Sequence, residues 1–139
     1  MTEKLLIDSS FLYAIHDRDD KYHQDAVRFA ASHKGLWLVP DVTLVEVSQI
    51  LYRFAGQTAV LAFLDALDNP QILLQSLSPA DVKRARQVMS EYDTANLDFV
   101  DCCIVALAER MNIAQVCTFD RRDFAMVRPS HAQYLELLP

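Results

Sequence analysis

Apolar residues run along this chain in two rhythms. Short continuous apolar runs alternate with longer stretches in which apolar positions return every three or four residues. The first rhythm belongs to strands buried on both faces and the second to amphipathic helices. Strands are predicted at 4–7, 36–39, 72–75, 115–119 and 134–138. Helices are predicted at 9–16, 20–33, 43–54 and 58–67. Two more open at Pro79 and near Asp98. Ser9 or Ser10 is placed to cap the first of them, and Pro79 sits at a first-turn position that proline tolerates. The second helix shows Tyr22, Ala26, Phe29 and Ala30 as one apolar stripe. The third and fourth bury Val47, Ile50, Leu51 and Phe54, then Val60, Phe63, Leu64 and Leu67. The helix from Pro79 turns Val82, Ala85, Val88, Met89 and Tyr92 inward and carries Lys83, Arg84, Arg86 and Gln87 mostly outward. The run CCIVALA at 102–108 is apolar all round, so its helix is buried on most sides. Strands that alternate with helices predict an α/β fold, with a mainly parallel central sheet between helical layers.

Composition narrows what such a fold can do. The chain has 139 residues, 52% of them hydrophobic, which suits one compact domain over 1–139. Gly35 and Gly56 are its two glycines, too few to write a P-loop or a dinucleotide fingerprint. The net charge of −6 and the scattered Lys and Arg residues exclude bulk electrostatic coating of nucleic acid. They leave room for an enzyme that meets nucleic acid through bound cations. Cys102, Cys103 and Cys117 form no CxxC pair, so neither a disulfide framework nor a zinc site is expected, and a reducing cytoplasm fits. No apolar stretch approaches the ~20 residues of a membrane span, and the N-terminus lacks the apolar run of a signal peptide.

The chemistry-bearing candidates are carboxylates. Asp8 and Asp120 lie at the carboxyl ends of predicted strands, where open parallel sheets place their ligands. Glu46 and Asp101 fall in the first turns of predicted helices, and helix starts and strand ends can share one rim. Four acids gathered there repel one another until a divalent cation offsets them. Mg²⁺ takes hard oxygen ligands and binds substrate phosphate as well. Each acid also has a structural reading. Asp8 could cap the next helix, Thr43-x-x-Glu46 matches a capping box, and Asp98-x-x-Asp101 has cap-like spacing. Asp101 is the hardest to explain structurally, because Ile104 and Val105 one turn on face the core. His16, His23, His33 and His131 have no mutual metal spacing and read as surface or packing residues. Asp17, Asp19, Asp20 and Asp25 read as a solvated face around the second helix. Arg121 and Arg122 either touch phosphate near the mouth or form a polar turn.

Three segments carry a family resemblance. LLIDSSFLYAI resembles the first motif of PIN-domain nucleases, PDVTLVEVSQIL the segment with their acidic helix residue, and LDFVDCCIVALAERMNIAQVCTFDRRDF their joined third and fourth motifs. The likeness is strongest to VapC-type toxins of bacterial toxin–antitoxin pairs. It implies a PIN-like three-layer α/β/α sandwich and a cytoplasmic endoribonuclease dependent on Mg²⁺ or Mn²⁺. A homodimer held in check by a small antitoxin protein is implied as well, with tRNA or rRNA as substrate. The family's acids fall on Asp8, Glu46, Asp101 and Asp120 as metal ligands and catalytic residues. Ser10 matches the supporting hydroxyl after the first acid. Asp98 adds an acid that either caps its helix or enlarges the metal site, with the cap favoured, and Asp123 can share the role of Asp120. The alternative is a PIN-like binding module with a weak or silent site that acts through a protein partner. A phosphotransfer receiver domain is disfavoured, since Asp8 stands alone at its strand end and no Lys follows Lys83.

Overall fold

The computed structural model describes residues 3–139. Five strands form one sheet in which every pairing is parallel: β1 (Lys4–Ile7), β2 (Leu36–Pro40), β3 (Ile72–Gln75), β4 (Gln115–Cys117) and β5 (Glu136–Leu138). Their spatial order is β3-β2-β1-β4-β5. The chain works outward from β1 to one edge, then returns to build β4 and β5 on the other side. The reversal leaves a crevice between the carboxyl ends of β1 and β4, the position where open α/β sheets bind ligands.

Six helices cover the sheet: α1 (Ser9–His16), α2 (His23–Ser32), α3 (Asp41–Ala66), α4 (Pro79–Glu91), α5 (Phe99–Met111) and the single turn α6 (Arg121–Phe124). Leu5, Leu6 and Ile7 of the central strand are wholly buried, as a strand sandwiched on both faces must be. Leu6, Leu38 and Val116 meet α4 and α5 on one face through Ala85, Val88 and Leu107. Leu5, Ile7, Trp37, Val39 and Cys117 meet α1, α2 and α3 on the other through Phe11, Ala26, Val47 and Phe63. The result is the expected three-layer α/β/α sandwich. No helix among the described residues is long and apolar enough to cross a membrane.

Local chemistry explains where elements begin and break. Ser78 caps α4 in a capping box with Asp81, ahead of Pro79 in the first turn. Asp81 is 2% exposed and takes a two-pronged ion pair from Arg110 of α5, with Nε and Nη2 at 2.8 and 3.0 Å. A second pair joins Arg84 to Glu109, so α4 and α5 are clamped twice. The α3 helix breaks at Gly56, whose φ of 83° and ψ of 180° suit glycine alone. Residues 43–54 and 58–67 therefore act as two helical segments, as their periodicity suggests.

Several expectations need correction. Asp8, not Ser9 or Ser10, holds the position before α1, and its side chain makes no cap bond. The second helix starts at His23 rather than 20, because Asp20 turns the chain by accepting the Tyr22 N–H at 2.9 Å. Asp17, Asp19 and Asp20 thus belong to the connection before α2, not to its face. The Thr43–Glu46 box is not formed. Instead α3 begins at Asp41, and the Thr43 hydroxyl donates to Pro40 O at 2.7 Å. Phe54 is 71% exposed rather than buried, since it immediately precedes the break and turns off the core stripe. Leu64, Val82 and Met89 are exposed as well, and Arg84 faces Glu109 rather than open solvent. The strand expected at 115–119 stops at Cys117, and the final strand is only Glu136–Leu138.

Candidate metal centre

The β1 strand delivers Asp8 directly into the crevice, and its N–H donates to Cys117 O at 2.9 Å, so β1 and β4 stay joined to the last residue. Asp8 is fully buried. Its Oδ2 accepts the Ser10 hydroxyl at 2.8 Å and the Thr118 hydroxyl at 2.7 Å. A hydroxyl carries one proton, so both are committed to this oxygen. Each hydroxyl oxygen accepts in turn from the backbone: Ser10 from Phe119 N–H at 3.0 Å, Thr118 from Asp120 N–H at 2.9 Å. One oxygen of Asp8 is thereby fixed by the turn after β4. This arrangement requires that β4 end at Cys117, which lets Thr118 turn toward Asp8.

Asp101 enters from the first turn of α5. The N-terminal end is closed by a capping box: Asp101 N–H donates to Asp98 Oδ1 at 2.9 Å, and Asp98 N–H donates to Asp101 Oδ2 at 3.1 Å. Capping engages one oxygen of Asp101, and a carboxylate has two. Asp98 therefore works as the cap. Oxygens of Asp8, Asp101 and Asp120 all lie within 4.8 Å of one another. Glu46 stands outside this tight group but lines, with Asp101 and Asp120, a cavity of about 200 Å³ whose walls do not include the fully buried Asp8. Asp98 and Asp123 share that wall, and Asp123 Oδ1 holds the loop before α5 through Asn96 N–H at 3.2 Å.

Burial and mutual repulsion push these acids toward their neutral forms. Burial raises the Asp8 carboxyl to about 6, against the pull of the Thr118 and Ser10 hydrogen bonds. Asp101 is raised further, by burial first and then by the charges of Asp8 and Asp98. Asp120 is raised by burial and by Asp123 and Asp98. Three close carboxylates in a half-enclosed, oxygen-only site cannot all ionise alone, and a hard divalent cation is the partner that lets them. The donor set fits Mg²⁺ or Mn²⁺. It does not fit the soft or imidazole chemistry expected for zinc. The cysteines are buried elsewhere in the core, and His131 and His23 bond to Ile113 O and Ala14 O.

Thr118 is the residue whose importance its position in the sequence conceals. It reads as the interior of a strand, and only the Thr-x-Asp spacing hints at more.

Fold and cluster together define an α/β/α domain with a cation-ready acidic mouth at the switch point of a parallel sheet. The chain belongs to the PIN domain family, whose profile matches residues 5–128. It is 24% identical over 135 residues to Ribonuclease VapC26 of Mycobacterium tuberculosis, covering 97% of this chain and all of that one. Among solved structures it resembles VapC20 of M. tuberculosis, a sarcin–ricin loop cleaving toxin, with a TM-score of 0.82 and 22% identity over 97% of this chain and 99% of that one. A toxin–antitoxin complex from Klebsiella pneumoniae matches at a TM-score of 0.68 and 18% identity, over 88% of this chain and 92% of that one.

Proposed function

We propose that this PIN-domain protein is a Mg²⁺- or Mn²⁺-dependent endoribonuclease and the toxin of a toxin–antitoxin pair. The observation that carries this reading is the convergence of Asp8, Asp101 and Asp120 to within 4.8 Å at the crevice between β1 and β4. Asp8 and Asp101 act as the principal ligands, and Asp120 completes the set. Glu46, set back on the cleft wall, binds cation or orients the attacking water. A bound cation would supply charge to the scissile phosphate and acidify a water. Ser10 and Thr118 keep Asp8 from turning away, and the box with Asp98 does the same for Asp101. Without a cation the cleft repels an RNA backbone, so metal and substrate binding go together.

Ribonuclease VapC26 and the sarcin–ricin loop cleaving VapC20 support RNA as substrate; rRNA or tRNA is the class that the family resemblance implies. The Klebsiella complex supports an antitoxin protein as partner; that the antitoxin is a small inhibitor and the toxin a homodimer is what the family resemblance implies. The test is RNA cleavage with Mn²⁺ by the parent chain and by Asp101→Asn. The variant should retain its circular dichroism spectrum and lose cleavage by at least about a hundredfold, the scale on which removing one electrostatic catalytic contact acts. Parental cleavage by Asp101→Asn would overturn the assignment. Expression that arrests growth, relieved by Asp101→Asn, would support the toxin role.

A further inference from the structure

The acid cleft shares Ser9, Glu46 and Asp120 with a second cavity of about 310 Å³, so the two open into one mouth. Their walls carry six acids: Asp20, Glu46, Asp98, Asp101, Asp120 and Asp123. Asp8, buried behind them, belongs to the same cluster. One divalent cation offsets two ionised carboxylates, and a pair of cations offsets four. The mouth therefore stays acidic with its metal in place, and an RNA backbone brings more negative charge to it. A side-chain cation on these walls would offset that charge where the strand lies.

Among the described residues, Lys21 is the one basic residue on either wall. Arg121 lines the next cavity along, and Arg84 and Arg110 are engaged by Glu109 and Asp81 between α4 and α5. Lys21 forms no ion pair among the described residues, although Asp20 precedes it. Its position is built rather than loose. Asp20 Oδ2 accepts the Tyr22 N–H at 2.9 Å and so fixes the turn that presents Lys21. The ammonium rests 4.9 Å from the centre of the Tyr22 ring. Tyr22 stacks on Phe119, 4.4 Å away at 3°, and Phe119 stacks on the fully buried Phe11, 5.8 Å away at 19°. Phe119 directly precedes Asp120, and its N–H donates to Ser10 Oγ at 3.0 Å. The ammonium thus stands on a column rooted in the core and tied to the backbone that carries the acid cluster. A cation over a ring face keeps its charge, and the exposed side of Lys21 keeps N–H donors for an anion.

We propose that Lys21 is a substrate-binding residue, whose ammonium takes an RNA phosphate flanking the one seated at the acid cluster. This rests on the ribonuclease reading and adds a second point of attachment to it. Two anchors hold the strand across the mouth, where one alone would leave it to pivot. A lysine meets phosphate as a point charge and reads no base, so the contact serves every sequence alike. The flanking phosphate is not the reacting one, and its charge is the same before and during cleavage. Loss of the contact therefore falls on KM more than on kcat.

The experiment measures cleavage of a mixture of ribosomal RNA and tRNA by the full chain with Mn²⁺, over a series of KCl concentrations. Lys21→Met keeps the reach of the side chain and removes its charge. It should lower kcat/KM about tenfold, the low end for a hydrogen bond to a charged group, and chiefly through KM. The slope of log kcat/KM against log salt should flatten by about 0.7 to 0.9, the value for one phosphate contact. Lys21→Arg keeps the charge and should stay within about threefold of the parent. Lys34→Met removes the same charge just before β2, at the opposite end of the sheet, and should leave rate and slope unchanged. The melting temperature of Lys21→Met and its rise with Mn²⁺ should match the parent. If the parent cleaves and Lys21→Met stays within about twofold of it, or slows with an unchanged salt slope, Lys21 holds no phosphate. Lost Mn²⁺ stabilisation in Lys21→Met would also overturn the proposal, because the effect would then act through the acid cluster. If the parent cleaves neither RNA, the ribonuclease reading fails and the Lys21 proposal with it.

Discussion

The Thr118 hydroxyl donates to Asp8 Oδ2 at 2.7 Å, across 110 positions of sequence. The Thr118 hydroxyl oxygen itself accepts the Asp120 N–H at 2.9 Å, so one hydroxyl ties two of the three clustered acids. Thr118→Val keeps the shape and removes both bonds. It should cost about 1–3 kcal/mol in urea unfolding, the range for leaving a buried polar partner unsatisfied. It should also weaken Mn²⁺ stabilisation, whereas Thr118→Ser should restore both. A Val variant as stable and as responsive to Mn²⁺ as the parent would show that Asp8 is held by Ser10 alone.

The clustered charges strain the metal-free protein. Asp8→Asn and Asp101→Asn each replace an acid whose ionisation the fold penalises, and each should raise the melting temperature measured in a chelator near neutral pH, by about 3 °C per kcal/mol relieved. In Mn²⁺ the order should invert, with the parent stabilised by mass action and both variants stabilised far less. Differential scanning calorimetry in the two buffers checks both halves.

Stability should follow pH in a defined sense. Asp8 has a folded-state pKa of about 6, above its ordinary value of 3.8. The folded state then binds more protons than the unfolded state between those values. The contribution from Asp8 is complete below 3.8 and is lost as pH rises through about 6. Asp81 and Glu109 act oppositely: they are held low by Arg110 and Arg84 despite burial, so their stabilisation is lost as pH falls. The clean readout is therefore the stability of the parent minus that of Asp8→Asn in chelator. That difference should decline as pH rises from 4 to 7, a window set by the 3.8 and 6 of Asp8. A flat difference would mean that Asp8 titrates normally.

Away from the mouth, Arg110→Met should destabilise the fold by about 2 kcal/mol, because it leaves the Asp81 carboxylate with its cap bond but no cation. The exposed flank of Arg110 moderates the loss. The variant should bind Mn²⁺ as the parent does. A change in Mn²⁺ binding would indicate that the α4–α5 clamp sets the position of Asp101.

The strands were legible wherever both faces are buried, because Leu5, Leu6 and Ile7 leave no polar residue to confuse the run. The break in α3 showed as an interruption of period around Gly56. Other features lie beyond what periodicity carries. Capping spacing at Thr43-x-x-Glu46 is a local pattern, yet the backbone had already started its helix at Asp41, leaving Glu46 free to line the cleft. Phe54 fits the apolar stripe, but the turn at Gly56 takes it off the core. The single turn α6 is too short to show any period. Asp8 and Asp120 could be placed at strand ends, but nothing in the pattern says that β1 and β4 are neighbours. That adjacency comes from the sheet order, and with it comes the shared role of Ser10 and Thr118.

The sheet order also sets a timetable. On the ribosome, Asp8 and Glu46 emerge early, whereas Asp101 comes with α5 and Asp120 follows β4, which must slot in beside β1. A nascent chain shorter than 120 residues cannot assemble the three-acid cluster. A nuclease built this way stays inert for most of its own translation, beside the RNA it would otherwise be first to meet.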